Sequence, residues 1–346
     1  MPIDYSNRKA LGEIWQSQGY YCQKTIAQTI VEGASKYPDA YLLIESDQRP
    51  GQLSLIAALK QAQAYAYALN KLGVKQGDIV AIQLPNWIEA AVLCQAVWLL
   101  GAVVLPVTAS LGAADLAYIT NDANAKVLVM PGQWKGRGYT SALNSLREQT
   151  ALEHIIIVDD TAPDNGLSWP QFTALAEAEL SSVELCVEPN EMALLIYTSG
   201  TTSSPKGVMH SHNSLIFEAA KGQTNWGEQR LGNHLSPWPH GHIASTITMM
   251  RWWIDGVNIV LADKWEPELV ARLIEKHQVA ATSGVPYFLS SLIEAAERVN
   301  IDISSLKNYA TGATNVPPAL IQTCTERGIF AYRMYGSTEH PTATSG

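Results

Sequence analysis

Cysteine is scarce in this chain: Cys22, Cys94, Cys186 and Cys324 are scattered through 346 residues with no CxxC spacing. That pattern suggests neither a zinc site nor a disulfide framework, and it points to a reduced, cytoplasmic compartment. Basic charge is short as well. Lys and Arg number 23 against 32 Asp and Glu, for a net charge of −9. A nucleic-acid scaffold needs a basic surface, so that class is set aside. The opening residues Met1-Pro-Ile-Asp-Tyr-Ser-Asn contain no apolar core, so no signal peptide is read. Long hydrophobic runs are lacking too. The strongest candidate, residues 90–107, contains Gln95 and Gly101 and closes with Pro106. It reads as a buried helix, a glycine turn and a strand, and no transmembrane segment is expected. Repeats and low-complexity tracts are also missing. With 47% apolar and 16% charged residues, the chain has enough apolar matter to fold.

What is present is an alternation of apolar strands and helices. Residues 78–84, 102–105, 125–130, 154–159 and 192–197 read as strands, with a helix over 87–100. Further strands are expected at 257–261, 279–282, 308–311 and 329–332. Helices are expected near 266–277, after Pro286, and over 317–327, where prolines suit a first turn. Continuous apolar strands alternating with helices indicate an α/β fold of parallel sheets covered on both faces. Two sheet units are predicted: one over roughly residues 70–215, the other over roughly 20–60 plus 225–340. Residues 132–147 and 222–233 are expected to be surface loops. Ligands in such folds sit at the carboxyl ends of strands.

Residues 197–207 read Tyr-Thr-Ser-Gly-Thr-Thr-Ser-Ser-Pro-Lys-Gly directly after a strand. Hydroxyl groups, backbone N–H groups and a cation together suit a polyphosphate. Gly200 and Gly207 allow close backbone approach, and Lys206 can place a point charge on phosphate oxygens. The loop is not a Walker A motif, because Pro205 precedes the lysine and Gly207 follows it. A solvated Ser/Thr-rich turn would share this composition. A second cluster, Tyr332-Arg-Met-Tyr-Gly-Ser-Thr-Glu339, ends a strand on an aromatic and then offers a hydroxyl and a carboxylate. It could serve a nucleotide and Mg²⁺, or it could be a helix start capped by Ser337 or Thr338.

The order of residues in the first loop, Thr-Ser-Gly-Thr-Thr-x-x-Pro-Lys-Gly, resembles the phosphate loop of the adenylate-forming superfamily. That family holds the acyl-CoA synthetases, peptide-synthetase adenylation domains and firefly-type luciferases. Ser203 stands where the family usually has Gly. Tyr335 to Glu339 resembles its Tyr-Gly-x-Thr-Glu motif. Thr311-Gly-Ala-Thr-Asn-Val resembles its adenine loop in variant form, and Gly284-Val-Pro resembles a strand-end segment of the same family. Residues 77–87 resemble the family's first-sheet entry, where Asn86 and Trp87 are structural.

The resemblance implies ATP-dependent activation of a fatty, cyclic or aromatic acid to acyl-AMP, then thioester formation with coenzyme A. Nucleotide contacts would come from Thr198, Ser199, Gly200, Thr201, Thr202, Lys206, Gly312, Ala313, Thr314, Tyr335, Gly336 and Thr338. Lys206, Thr338 and Glu339 would be catalytic, with Glu339 on Mg²⁺. His240, Val285 and Pro286 would wall the acyl pocket. Pro239-His240 stands where α-amino-acid enzymes usually have Asp, so an α-ammonium would be unpaired and costly. The pairs His210/His212 and His240/His242 could also be read as metal ligands, though no nearby Cys completes a set. The expected architecture is the family's large N-terminal domain, two parallel-rich sheets in a layered αβαβα arrangement. Its terminal β-barrel part and mobile C-terminal domain, with the lysine important for adenylation, would lie past Gly346. Other readings stay open: delivery of the adenylate to a carrier-protein thiol, or a nucleotide- or acyl-binding module without turnover. A homodimer is compatible with either.

Overall fold

A computed structural model describes residues 6–159, 161–176, 187–198, 204–225 and 232–346. The first third of the chain holds α1 (Ser6–Ser17), α2 (Ile26–Lys36), β1 (Tyr41–Glu45), β2 (Gly51–Ser54), α3 (Leu55–Lys71), β3 (Ile79–Ile82), α4 (Ile88–Leu99) and β4 (Val103–Pro106). The middle adds α5 (Ala113–Asp122), β5 (Val127–Pro131), β6 (Gln133–Trp134), β7 (Arg137–Gly138), α6 (Leu143–Gln149), β8 (His154–Val158), β9 (Leu167–Ser168), α7 (Trp169–Ala174), β10 (Met192–Thr198), β11 (Lys206–Ser211) and α8 (His212–Asn225). The rest comprises β12 (Asn233–Ser236), α9 (Ile243–Ile254), β13 (Ile259–Ala262), α10 (Pro267–His277), β14 (Val279–Gly284), α11 (Pro286–Arg298), β15 (Asn308–Gly312), α12 (Pro318–Glu326), β16 (Phe330–Tyr335) and β17 (Thr344–Ser345).

Local chemistry explains many of the boundaries. Thr25 and Gln28 form a capping box at α2, and Ser168 and Gln171 form another at α7. Prolines open α10, α11 and α12, where a missing N–H costs nothing. At the end of α10, Gln278 adopts a left-handed φ of 46° and turns the chain into β14. The candidate membrane run resolves into α4, a left-handed turn at Gly101 and β4. Among the described residues no helix is long and apolar enough to cross a membrane.

Two sheets organise the chain. One has seven strands in the order β11-β10-β4-β3-β5-β8-β9, parallel except for the β10–β11 hairpin. The other has eight, in the order β17-β16-β15-β14-β12-β13-β1-β2, parallel except at both edges. Both sheets are mostly parallel with flanking helices, as the alternation predicted. The antiparallel edges were not anticipated, because β2, β11 and β17 are half-exposed or very short and carry no continuous apolar run.

Helices fill the space between the sheets and cover their outer faces. The largest apolar cluster joins α2, α3, α4 and α9 with the facing sides of both sheets. Trp98 of α4 and Trp253 of α9 meet edge to face there, with centroids 6.1 Å apart. Trp252 is fully buried and donates from Nε1 to the Ala40 carbonyl at 3.0 Å. A second cluster seats α5 and α6 on the seven-stranded sheet, and a third seats α10, α11 and α12 on the eight-stranded one. The result is five layers, αβαβα.

Two expected loops are partly ordered elements. Residues 132–147 contain the β6–β7 hairpin and the start of α6, tied down by Tyr139 Oη donating to the Ala109 carbonyl at 2.7 Å. Residues 222–225 are the last part of α8, and Asn233 opens β12. Residues 226–231 lie outside the described ones.

Candidate active site

The β10–β11 hairpin carries the polar loop first singled out. Thr198 pairs with Lys206 and Tyr197 with Gly207 across it. Ser199, Gly200, Thr201, Thr202 and Ser203 lie outside the described residues. Lys206 is exposed at the first position of β11. At Gly207 an added Cβ would sit 2.9 Å from Leu195 Cδ1 and 3.2 Å from Tyr197 Cζ, so these side chains would have to shift. Tyr197 anchors the hairpin by donating to Asp122 Oδ2 at 2.5 Å.

The second cluster is not a helix start. It is the bend between β16 and β17, which pair antiparallel through Met334–Ser345 and Tyr335–Thr344. Inside the bend, Ser337 N donates to the His340 carbonyl at 2.9 Å, and Ala343 N donates to the Tyr335 carbonyl at 2.9 Å. Gly336 has no room for a Cβ, which would run into the Pro341 carbonyl. Glu339 is exposed. Its own backbone N–H, then the Ser337 hydroxyl, hold its carboxyl below the usual range. Tyr335 is 71% exposed.

Histidine joins the two clusters. His210 of β11 is buried and places Nε2 2.7 Å from the Thr338 carbonyl. The edge of one sheet thereby fixes the bend at the edge of the other. The remaining histidines of the two His-x-His pairs also have structural contacts. His212 Nδ1 accepts from Ile26 N at 3.1 Å, at the start of α2. His242 Nδ1 accepts from Ala244 N at 3.1 Å and caps α9. His240 Nε2 lies 3.8 Å from Cys94 Sγ. Burial lowers the His212 and His240 pKa values to about 4. Among the described residues no three His, Cys, Asp or Glu side chains cluster as a metal-ligand set.

Between α8, α9 and the carboxyl ends of β14, β15 and β16 lies a cavity of about 310 Å³. Gly284, Gly312, Ala313, Gly336 and Thr338 line its strand-end side. The site residues Gly312, Ala313, Gly336 and Thr338 therefore share one cavity. Ala313 holds a left-handed φ of 63°, uncommon for a residue with a side chain. Gly312 lies so close to Met334 that a Cβ would meet its carbonyl.

Thr198, Lys206, Thr314, Tyr335 and Glu339 are not in the lining. His240, Val285 and Pro286 are also outside it, within two residues of the lining residues Trp238, His242 and Gly284. His240 lies instead beside a small apolar space bordered by Cys94 and Trp98 of α4.

The cavity wall contains residues that the sequence did not reveal. Trp238 stacks on His242 at 4.5 Å and 15°, and its Nε1 donates to Ser283 Oγ at 2.8 Å. Asn86 Nδ2 donates to the carbonyls of Trp238 and Ala262, both at 2.9 Å, and so locks this loop to the seven-stranded sheet. On α9, Ala244, Ile247, Thr248 and Arg251 face the cavity at helical spacing. Arg251 is bonded to buried Asp255 at 2.9 Å and lies 3.4 Å from His234 Nδ1. The periodicity of α9 was readable, but the partner of its polar face was not.

The whole arrangement is matched by a family model described as AMP-binding enzyme, over residues 30–345. The chain is 27% identical over 332 residues to a medium-chain fatty-acid–CoA ligase of Escherichia coli, covering 94% of this chain and 57% of that protein. It is 26% identical over 309 residues to a salicyl-AMP ligase / salicyl-S-ArCP synthetase of Mycobacterium tuberculosis, covering 88% and 54%. Among solved structures, a long-chain-fatty-acid-CoA ligase (FadD1) from Archaeoglobus fulgidus superposes with a TM-score of 0.82 at 25% identity, covering 94% of this chain and 67% of that one. The chain thus spans little more than half the length of these curated relatives. Fold, strand-end cavity and family match agree: this chain belongs to the AMP-binding enzyme family.

Proposed function

We propose that this chain forms the part of an acid–thiol ligase that activates a carboxylic acid with ATP. A carboxylate oxygen attacks the α-phosphorus, the bond to the β-phosphate oxygen breaks, and acyl-AMP and pyrophosphate result. The thiol of coenzyme A then attacks the acyl carbon and releases AMP. The observation that carries this reading is the shared cavity, where Gly312, Ala313, Gly336 and Thr338 meet at the carboxyl ends of three parallel strands. Gly312 and Gly336 have no room for a side chain, which lets Met334 and Pro341 pack against them and hold the strand ends together at the cavity. The acyl group would extend between α8 and α9, past the Trp238–His242 stack. His240, Val285 and Pro286 would support that wall from the adjoining segments.

Positioning and charge neutralisation dominate such a phosphoryl-centred step, because the substrate is its own nucleophile. Lys206 and the hydroxyls of residues 198–202 would hold the phosphates, with Thr338 opposite them. Mg²⁺ takes one or two carboxylates and fills its other positions with phosphate and water. The exposed, ionised Glu339 fits that need as a single ligand, and the ion would supply further neutralisation of the phosphates. A cytoplasmic protein would find ATP, coenzyme A and its acid in one compartment.

ATP–pyrophosphate exchange over a panel of carboxylic acids tests this reading. Acid-dependent exchange is expected, reduced at least tenfold by Lys206→Ala through loss of a charged phosphate contact. Unchanged exchange in Lys206→Ala would remove that lysine from the phosphate site.

A further inference from the structure

Glu218 on α8 is 7% exposed and lines the cavity. Among the described residues its carboxylate has no hydrogen bond or ion pair. The neighbouring cations are engaged elsewhere. Lys221 Nζ donates to the Thr342 carbonyl at 3.2 Å, and the Arg251 guanidinium serves Asp255 and His234. A carboxylate that lines a cavity and is not bonded by the wall is open to a donor on whatever binds there. Of the wall residues, Ala219, Leu235 and Ile247 offer no polar atom from their side chains, and Thr282 Oγ1 donates to the Leu235 carbonyl at 2.8 Å.

We infer that the acid bound in this cavity carries a hydrogen-bond donor on its acyl portion, a hydroxyl or an amine, which Glu218 reads. The assignment rests on the proposed adenylation and narrows its substrate class from plain hydrophobic acids to donor-bearing ones. A site that hydrogen-bonds a substrate group rejects the analogue without it far more strongly than an apolar pocket rejects an extra methylene. Glu218 therefore acts as a specificity residue. Its loss is expected to change discrimination between acids.

The test uses acids matched in carbon skeleton: unsubstituted, hydroxylated and amino-substituted. Each is assayed by ATP–pyrophosphate exchange and, independently, by quenching of tryptophan fluorescence, since Trp238 borders the cavity. Wild-type protein is expected to favour at least one donor-bearing series over the unsubstituted series by tenfold or more. The hydroxyl and amine arms tell which donor is read. In Glu218→Leu the ratio should collapse towards one. In the near-isosteric Glu218→Gln a hydroxyl preference should survive in part and an amine preference should be lost. Preference of the wild type for unsubstituted acids, or an unchanged ratio in both variants, overturns the inference. If no acid supports exchange, the adenylation reading fails. The fluorescence ratios then still decide Glu218: a donor preference abolished by Glu218→Leu upholds the inference, and equal binding of all three series overturns it.

Discussion

The carboxyl ends of the parallel strands are built differently in the two sheets. In the seven-stranded sheet four of them close on bulky or rigid residues: Ile82 in β3, Leu105-Pro106 in β4, Met130-Pro131 in β5 and Val158 in β8, while β10 ends on Tyr197-Thr198. In the eight-stranded sheet they close on Thr282-Ser283-Gly284 in β14, on Thr311-Gly312 in β15 and on Tyr335 followed by Gly336 in β16. The first set seals a core. The second leaves backbone and hydroxyls facing a cavity. Two mostly parallel sheets thus differ at their strand ends, and the small residues at and just after three of them in the eight-stranded sheet leave the space for a cavity. The seven-stranded sheet still takes part through its edge, where β11 brings His210 to the bend between β16 and β17.

The largest effect should come from breaking the packing between the halves. Trp252→Ala removes a fully buried indole and its bond to Ala40, and should lower stability by about 3–5 kcal/mol in urea unfolding. Acid comes next. Burial holds His212 neutral, with a folded pKa of about 4 against an ordinary 6.5. The unfolded chain takes up its proton first, so this contribution is intact above pH 6.5 and is lost as pH falls to about 4. Its full size is on the order of 3 kcal/mol. A plot of unfolding free energy against pH for wild type and His212→Gln should differ in slope within that window. Asn86→Ala then removes the bond that locks the Trp238 loop to the seven-stranded sheet and a second one to Ala262 at the end of β13, together about 2 kcal/mol. Its exchange activity should fall as the cavity wall loosens.

Gly336→Ala sharpens the comparison from the site's side. A methyl group there forces the bend away from the Pro341 carbonyl. Exchange should drop at least tenfold, about 1.4 kcal/mol in transition-state binding. The smallest effect should be a gain. Ala313→Gly relieves a left-handed backbone and should stabilise the protein by about 1 kcal/mol in thermal unfolding.

The sequence made the scaffold legible because a parallel strand buried on both faces is written as an unbroken apolar run. β3, β5, β8, β10 and β13 all show this. The antiparallel edges were hidden by their exposure, and the end of α8 was hidden because Gly222-Gln-Thr-Asn225 has loop-like composition. At the site, the resemblance of Thr311 to Val316 and of Tyr335 to Glu339 to family motifs named Gly312, Gly336 and Thr338, which share the cavity lining. The facing wall was less readable. Pro237 to His242 contains two histidines and a tryptophan, and the sequence does not reveal which of them faces the cavity. The structure turns Trp238 and His242 towards it and His240 towards Cys94. Glu218 was unreadable for a related reason. A single Glu in an amphipathic helix looks like a solvated residue until its burial is known.

The central claim is that the glycine-rich strand ends of the eight-stranded sheet cradle an acyl-adenylate. Calorimetric titration of a non-hydrolysable acyl-adenylate mimic into wild type and Gly336→Ala tests it most directly, because binding does not depend on turnover. Saturable one-to-one binding by wild type, weakened at least tenfold in Gly336→Ala, is the result the account predicts. Equal affinity in the two proteins, or no saturable binding by wild type, would contradict it.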